Sequence, residues 1–185
     1  LYSNFTFFKF DSINGDQIRQ KEARNIIGYN GSYTKELFFE NGNTLQSKIG
    51  ASIRYDDINH LELSRTLNRE FVTAPLSNGV GNELNFAFYA SETYKMKRWT
   101  LNGVLRFDEL AFGYNDQLKL HSYKSISKGI LSPKFNVQYQ IYNSTSLYLK
   151  IGKGFHSNDI RVVIPENGRD ILPIAWGADI GLITK

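Results

Sequence analysis

The feature that most constrains this chain is a two-residue rhythm of apolar and polar side chains that returns again and again along its length. From Phe135 to Tyr142 the odd positions are Phe135, Val137, Tyr139 and Ile141, while Asn136, Gln138 and Gln140 fill the even ones. Side chains on an extended backbone point alternately to opposite faces, so such a run specifies a strand with one apolar and one polar side. The pattern recurs with Ile49, Ala51, Ile53 and Tyr55 against Ser52 and Arg54, and with Leu84, Phe86, Phe88 and Ala90 against Asn85 and Tyr89. Trp99, Leu101, Gly103, Leu105 and Phe107 oppose Thr100, Asn102 and Arg106, and Leu147, Leu149 and Ile151 oppose Ser146, Tyr148 and Lys150. Ile27, Tyr29, Gly31 and Tyr33 repeat it more weakly.

The rhythm predicts about eight strands, near 1–10, 25–37, 44–64, 84–95, 98–115, 131–142, 146–157 and 175–185, and no segment with helical periodicity. The predicted connections alternate in length. Glu40-Asn41-Gly42-Asn43, Met96-Lys97 and Asn143-Ser144-Thr145 read as short turns, and between them lie polar stretches near 11–24, 65–83, 116–130 and 158–174. Short turns at one end of a sheet and long loops at the other are the layout of an outer-membrane β-barrel. Runs such as 44–64 and 98–115 also exceed the mean globular strand of about 5–6 residues.

Mean hydropathy of −0.37 fits this reading, because a barrel strand that alternates lipid-facing and lumen-facing residues never builds an apolar run. No stretch approaches the roughly 20 apolar residues of a membrane-spanning helix, which excludes a helical membrane protein. Aromatics gather near the predicted strand ends, with Phe38, Phe39, Tyr94, Trp99, Tyr142 and Tyr148 on the turn side, as in an interfacial girdle. Alternation alone does not say which face points inward. The polar faces carry Arg54, Arg106, Lys150, Asn85, Asn136, Gln138 and Gln140, which suits a hydrated lumen and equally a water-washed sheet surface.

Chemistry that needs clustered reactive groups finds little support. The 22 basic and 18 acidic residues are interleaved, so the net charge of +4 is no nucleic-acid footprint. Cysteine is absent, and His60, His121 and His156 stand far apart without a metal-ligand partner at a motif spacing. Asp56-Asp57 and Asp108-Glu109 are neighbours on strands, which sends their carboxylates to opposite faces. Gly152-Lys153-Gly154 lacks the glycine spacing and the hydroxyl residue of a phosphate-binding loop. No catalytic, cofactor or metal residue is assigned, and the chain is not expected to be an enzyme.

The most informative segment is Gly152-Lys153-Gly154-Phe155-His156-Ser157-Asn158-Asp159-Ile160-Arg161. It resembles the GxGFHSNDxR signature in the barrels of one group of TonB-dependent receptors. Upstream, Ser132-Pro133-Lys134 is similar to the element that opens the preceding strand in that family. Downstream, Leu172-Pro173 and Gly177-Ala178-Asp179-Ile180-Gly181 are similar to its continuation, with Asp179 where the family has Glu. Residues 162–170 follow no pattern of the family.

The resemblance implies an all-β, antiparallel transmembrane barrel of about 22 strands closed around a plug. Residues 1–185 would supply about eight of them, the plug and the remaining strands lying elsewhere. It also implies active import across the outer membrane of a Gram-negative bacterium, with outer-membrane lipid, the TonB system and a bulky scarce ligand such as a metal chelate as partners, and no nucleic acid. The chain begins without an initiator Met or signal segment and ends among strand-like residues, so a longer protein is expected.

Within the signature, Gly152 and Gly154 bare one face of the strand, Phe155 fits an outer girdle, and Ser157, Asn158 and Asp159 are turn formers. His156 and Arg161 are the residues expected to touch substrate. Two other architectures fit the alternation. One is a closed eight-stranded structural or adhesion barrel, whose end strands must pair; the other is a soluble lipocalin-like or sandwich binding module, whose apolar faces must be buried.

Overall fold

The structure, a computed structural model, describes residues 2–4, 10–13, 15–119, 123–158, 160 and 171–184. They form one antiparallel sheet of eight strands in chain order. The strands are β1 (Tyr2–Asn4), β2 (Gln17–Phe38), β3 (Thr44–Leu67), β4 (Phe71–Met96), β5 (Trp99–Asp116), β6 (Lys124–Tyr142), β7 (Thr145–Phe155) and β8 (Ile174–Thr184). β1 and β8 are the two edges and do not pair with each other, so the described residues make an open sheet rather than a closed small barrel.

The sheet is two-sided as the alternation requires. Register aligns Tyr29, Ile53 and Phe86 in one row, Ala51, Phe88, Phe107 and Leu131 in the next, and Leu45, Tyr94, Leu101, Val137, Leu149 and Ile180 in a third. This outer face is uncovered: Tyr29 is 71% exposed and Phe88 47%. A continuous apolar surface of this extent far exceeds the patch of a few hundred Å² that a water-soluble protein carries, so lipid is its natural cover. A soluble sandwich would have buried it. The run from Leu45 to Tyr55 matches the roughly 9–11 residues a tilted strand needs to cross a bilayer.

The opposite face carries hydrogen-bonded polar rows. Asn136 Nδ2 donates to Asn102 Oδ1 at 2.8 Å, and Asn102 Nδ2 donates to Thr93 Oγ1 at 2.9 Å and Ser91 Oγ at 3.1 Å. This is the inner wall.

The short turns fall where expected. In the first, Gly42 sits at φ 77° and donates its N–H to Phe39 O at 2.9 Å; a side chain would be strained in that left-handed conformation. Phe39 meets Tyr94 edge-on at 6.4 Å, and Trp99 packs on Tyr139 at 4.6 Å, forming the turn-side girdle. Tyr148 is not part of it. Its ring lies on the inner wall over Gly181, where a Cβ would come within 2.6 Å of the hydroxyl.

The long polar stretches are the main correction. Most of 11–24, 65–83 and 116–130 is strand: β2 starts at Gln17, β6 at Lys124, and β3 and β4 continue into a hairpin closed at Asn68-Arg69-Glu70. Asn68 and Arg69 adopt φ 52° and 60°, and Glu70 N donates to Leu67 O at 3.1 Å. These extensions show no apolar–polar rhythm because both of their faces lie beyond the apolar band. The backbone ladder holds them without it.

Among the described residues the apolar core cluster sits toward this loop end. Ile58, Leu61, Leu110, Phe112, Tyr114 and Ile130 from the inner wall are buried together with Ile160, Ile171 and Leu172 of the β7–β8 connection. Ile160, Ile171 and Leu172 therefore lie against the inner wall of β3–β6.

Candidate functional site

Beneath this cluster the inner wall turns ionic. Arg54 and Asp56 are two residues apart on β3 and so share a face; Arg54 Nε and Nη2 donate to Asp56 Oδ1 and Oδ2 at 2.7 and 2.8 Å, a bidentate fork. Arg24, whose backbone lies opposite Ile58, donates from Nη1 to Asp56 Oδ2 at 2.6 Å and to Glu83 Oε2 at 3.0 Å. Asp56 is only 2% exposed, so its charge is out of water and depends on these two guanidiniums for compensation. One strand pair further on, Arg106 makes the same fork with Asp108, at 2.8 and 2.7 Å, and Asp108 is equally buried.

These groups line a recess of about 390 Å³, within the roughly 300–1,000 Å³ of small-ligand sites. Arg24, Arg54, Asp56 and Glu83 form one side, and Phe155 and Ser157 reach it from β7 and the segment after it. Among the described residues no group of three or more His, Cys, Asp or Glu is placed to hold a metal. The recess offers paired charges and one aromatic face, which suits binding of a polar solute.

The signature residues divide. Gly154 has open space where a side chain would stand, and so does Gly177, which pairs with Gly152 across the β7–β8 ladder; at Gly152 itself a Cβ would come within 3.0 Å of Lys134 Cγ. Gly152 and Gly154 thus leave a bare strip on the wall between Lys134 and Lys150. Phe155 packs against the buried cluster and lines the recess, in place of the outer girdle position expected for it.

His156 is exposed and engages Asn158, Nε2 to Oδ1 at 2.9 Å, while its N–H donates to Pro173 O at 3.2 Å and Asn158 N donates to Ile171 O at 3.2 Å. His156 and Asn158 thus shape the connection, and Ser157 is the residue that faces the recess. Asp159 and Arg161 lie outside the described residues, as does His121.

Pro133 explains how Phe155 gets there. The Ser132-Pro133-Lys134 element lies in the middle of β6 instead of opening it, with Pro133 paired to Leu105 of β5. The β6–β7 ladder runs only as far as Lys134↔Gly152. Proline has no N–H to donate, which accounts for the ladder stopping beside it. Beyond that point β7 is paired with β8 alone, out to Phe155↔Ile174. Lys153-Gly154-Phe155 is thereby released from β6.

The ionic residues Arg24 and Glu83 were not singled out by sequence reasoning, and Asp108 was weighed there only as half of an adjacent carboxylate pair. A usable signal was present for part of the set: Arg54-Tyr55-Asp56 and Arg106-Phe107-Asp108 repeat an Arg-aromatic-Asp pattern that a strand converts into an inner ion pair and an outer aromatic.

A family model described as TonB dependent receptor-like, beta-barrel, matches residues 1–170. Among solved structures, the ferric citrate transporter FecA in its unliganded form superposes with a TM-score of 0.75 over 90% of this chain, at 14% identity. At that identity the likeness is one of fold. The match occupies 26% of FecA, so the chain spans about a quarter of that protein's length. None of the curated proteins matches the chain.

Proposed function

The chain belongs to the TonB-dependent receptor family, and on that premise we propose that it is part of the barrel wall of an outer-membrane receptor that imports a bulky, scarce nutrient. The observation that carries this reading is the sidedness of the sheet. Apolar rows face outward over a bilayer's depth, and a polar wall with an ionic recess faces inward. The cargo is a polar solute such as a metal chelate, too large for passive diffusion, and the Arg24–Asp56–Arg54–Glu83 group with Phe155 and Ser157 is a station on its path. Further strands close the barrel around a plug, and the plug carries the contact with TonB. The role is transport, without catalysis by this chain.

The test is growth and uptake. Deleting the gene in its Gram-negative host should abolish uptake of one class of radiolabelled metal chelate, inactivating tonB should abolish the same uptake, and the protein should fractionate with outer membranes and shift in mobility on heating. Recovery of the gene product in the soluble fraction would overturn the receptor reading. Outer-membrane location with uptake independent of TonB would overturn the energised step alone.

A further inference from the structure

Near the turns the outer face carries a charged inset within its apolar band; another outward carboxylate, Glu109, stands toward the loops beside Phe86. Lys35, Ser47 and Glu92 occupy the same row on β2, β3 and β4, facing outward. Leu45, Tyr94 and Leu101 lie in the row toward the turns, and Tyr33, Ile49, Ala90 and Leu105 in the row toward the loops. Ser47 Oγ donates to Glu92 Oε2 at 2.6 Å. Lys35 makes no ion pair among the described residues. The next position in the row is Gly103, where a side chain would meet nothing within 4 Å, so the carboxylate borders an open notch.

Lys35 and Glu92 stand two strands apart, about 10 Å between backbones at the usual strand spacing. Both are exposed on a surface that faces lipid. The row lies one step inside the Phe39–Tyr94 girdle, which puts it just beneath the headgroups of the turn-side leaflet and within reach of them. A cation and an anion held two strands apart at that depth, with only Ser47 between them and an open notch beyond the carboxylate, complement a headgroup that carries one phosphate and one primary ammonium.

We propose that Lys35, Ser47, Glu92 and the Gly103 notch form a binding site for an aminophospholipid, phosphate on Lys35 and ammonium on Glu92. The occupant is a bilayer lipid, since only a membrane-anchored headgroup meets this face. The site is separate from the recess and independent of what the receptor transports.

The test is native mass spectrometry of the full-length receptor in dodecyl maltoside, delipidated and titrated with phosphatidylethanolamine, phosphatidylcholine or phosphatidylglycerol. Phosphatidylethanolamine should be retained about tenfold more tightly than phosphatidylcholine, whose quaternary ammonium cannot donate to Glu92, a factor typical of one charge-assisted hydrogen bond. Glu92→Gln should erase that preference, and Lys35→Gln should weaken phosphatidylethanolamine and phosphatidylglycerol alike. Gly103→Leu, which fills the notch without touching a charge, should weaken phosphatidylethanolamine selectively and covers the case in which a charge variant fails to assemble. Equal retention of the three lipids overturns the site. Tighter retention of phosphatidylglycerol than of phosphatidylethanolamine overturns the ammonium contact and with it the aminophospholipid assignment.

Discussion

The half of the sheet nearest the turns and the half nearest the loops are built from the same strands but solve different problems. Through the apolar band the β3–β4 ladder runs without irregularity from Thr44↔Lys95 to Ile58↔Gly81. Beyond Ile58 the same pair of strands slips at Ile58/Leu61, Leu63/Ser64 and Arg65/Thr66, and β2–β3 slips at Ala23/Arg24. The β6–β7 ladder is the exception within the band: it stops at Lys134, level with Lys48, beside Pro133, which has no N–H to offer. Lipid offers no hydrogen bonds, so every backbone group inside it must be paired by a neighbouring strand. Water relaxes that demand, and the loop half uses the freedom for bulges that re-aim side chains inward. The bulge after Ile58 puts Leu61 on the inner wall beside it, both in the buried cluster.

The contrast makes opposite predictions for equal substitutions. Ile58→Ala, at a position with no exposed surface, should destabilise the protein by about 2–5 kcal/mol, the cost of a cavity in a packed core. Ile53→Ala, five residues earlier on β3 and on the lipid face, should cost well under half of that, because lipid tails close over the gap. Denaturant titration of the refolded receptor in lipid vesicles measures both. Equal losses would mean that the inner cluster is not packed as a core. Next in size, Phe88→Arg in the middle of the band should cost roughly 2–4 kcal/mol, whereas Val72→Arg in the hairpin extension should stay within about 0.5 kcal/mol. A large loss at Val72 would place the bilayer boundary further out than the apolar rows put it.

The boundary between the halves was written in the sequence in a form the strand-by-strand reading passed over. On β5 the large apolar residues other than Val104 are odd-numbered through Phe107 and even-numbered at Leu110, Phe112 and Tyr114, although the β4–β5 ladder is continuous. On β6 they are even-numbered at Ile126 and Ile130 and odd-numbered from Leu131 onward. On β3 the change comes between Tyr55 and Ile58. Where apolar parity changes with no change of pairing, the dry side has moved from lipid to interior. Strand centres, turns and family were legible because the band imposes one rhythm. The extensions were not, since Asn78-Gly79-Val80-Gly81-Asn82 has the composition of a loop and is held by its neighbours' backbones. Phe155 was misplaced for a related reason: nothing in β7 itself shows that Pro133, on another strand, has ended its ladder. Arg24 could not be linked to Asp56 at all without the register.

The ionic recess lies at this boundary and tests it with a smaller effect. Asp56→Asn keeps the shape but leaves Arg24 and Arg54 facing each other without their shared carboxylate, and should cost about 1–3 kcal/mol. Adding Arg54→Gln to Asp56→Asn should cost less than the sum of the two changes, since the residues act as one network. Additive losses in the denaturant titration would show that the fork contributes nothing as a unit. Uptake by the double variant should still fall, because the recess then keeps only Arg24, Glu83 and Asp108 of its charges.

The one expected gain in stability, and a small one, belongs to Pro133, and it separates architecture from function most sharply. Pro133→Ala restores one backbone donor where the β6–β7 ladder stops, worth about 0.5–1.5 kcal/mol if β7 takes it up. The protein should therefore be slightly stabilised. Extending the ladder past Lys134↔Gly152 draws Lys153-Gly154-Phe155 back to β6, and Phe155 can no longer fill the recess. Because this chain has no cysteine, Ser157→Cys gives a clean reporter within it. Labelling of that thiol by a water-soluble maleimide should slow or accelerate several-fold when Pro133→Ala is added, while His156→Cys, already exposed, should label at an unchanged rate. Greater stability with unchanged labelling at Ser157 would mean that the ladder ends for a reason other than the missing N–H, and that the Ser-Pro-Lys element does not govern where the signature segment sits.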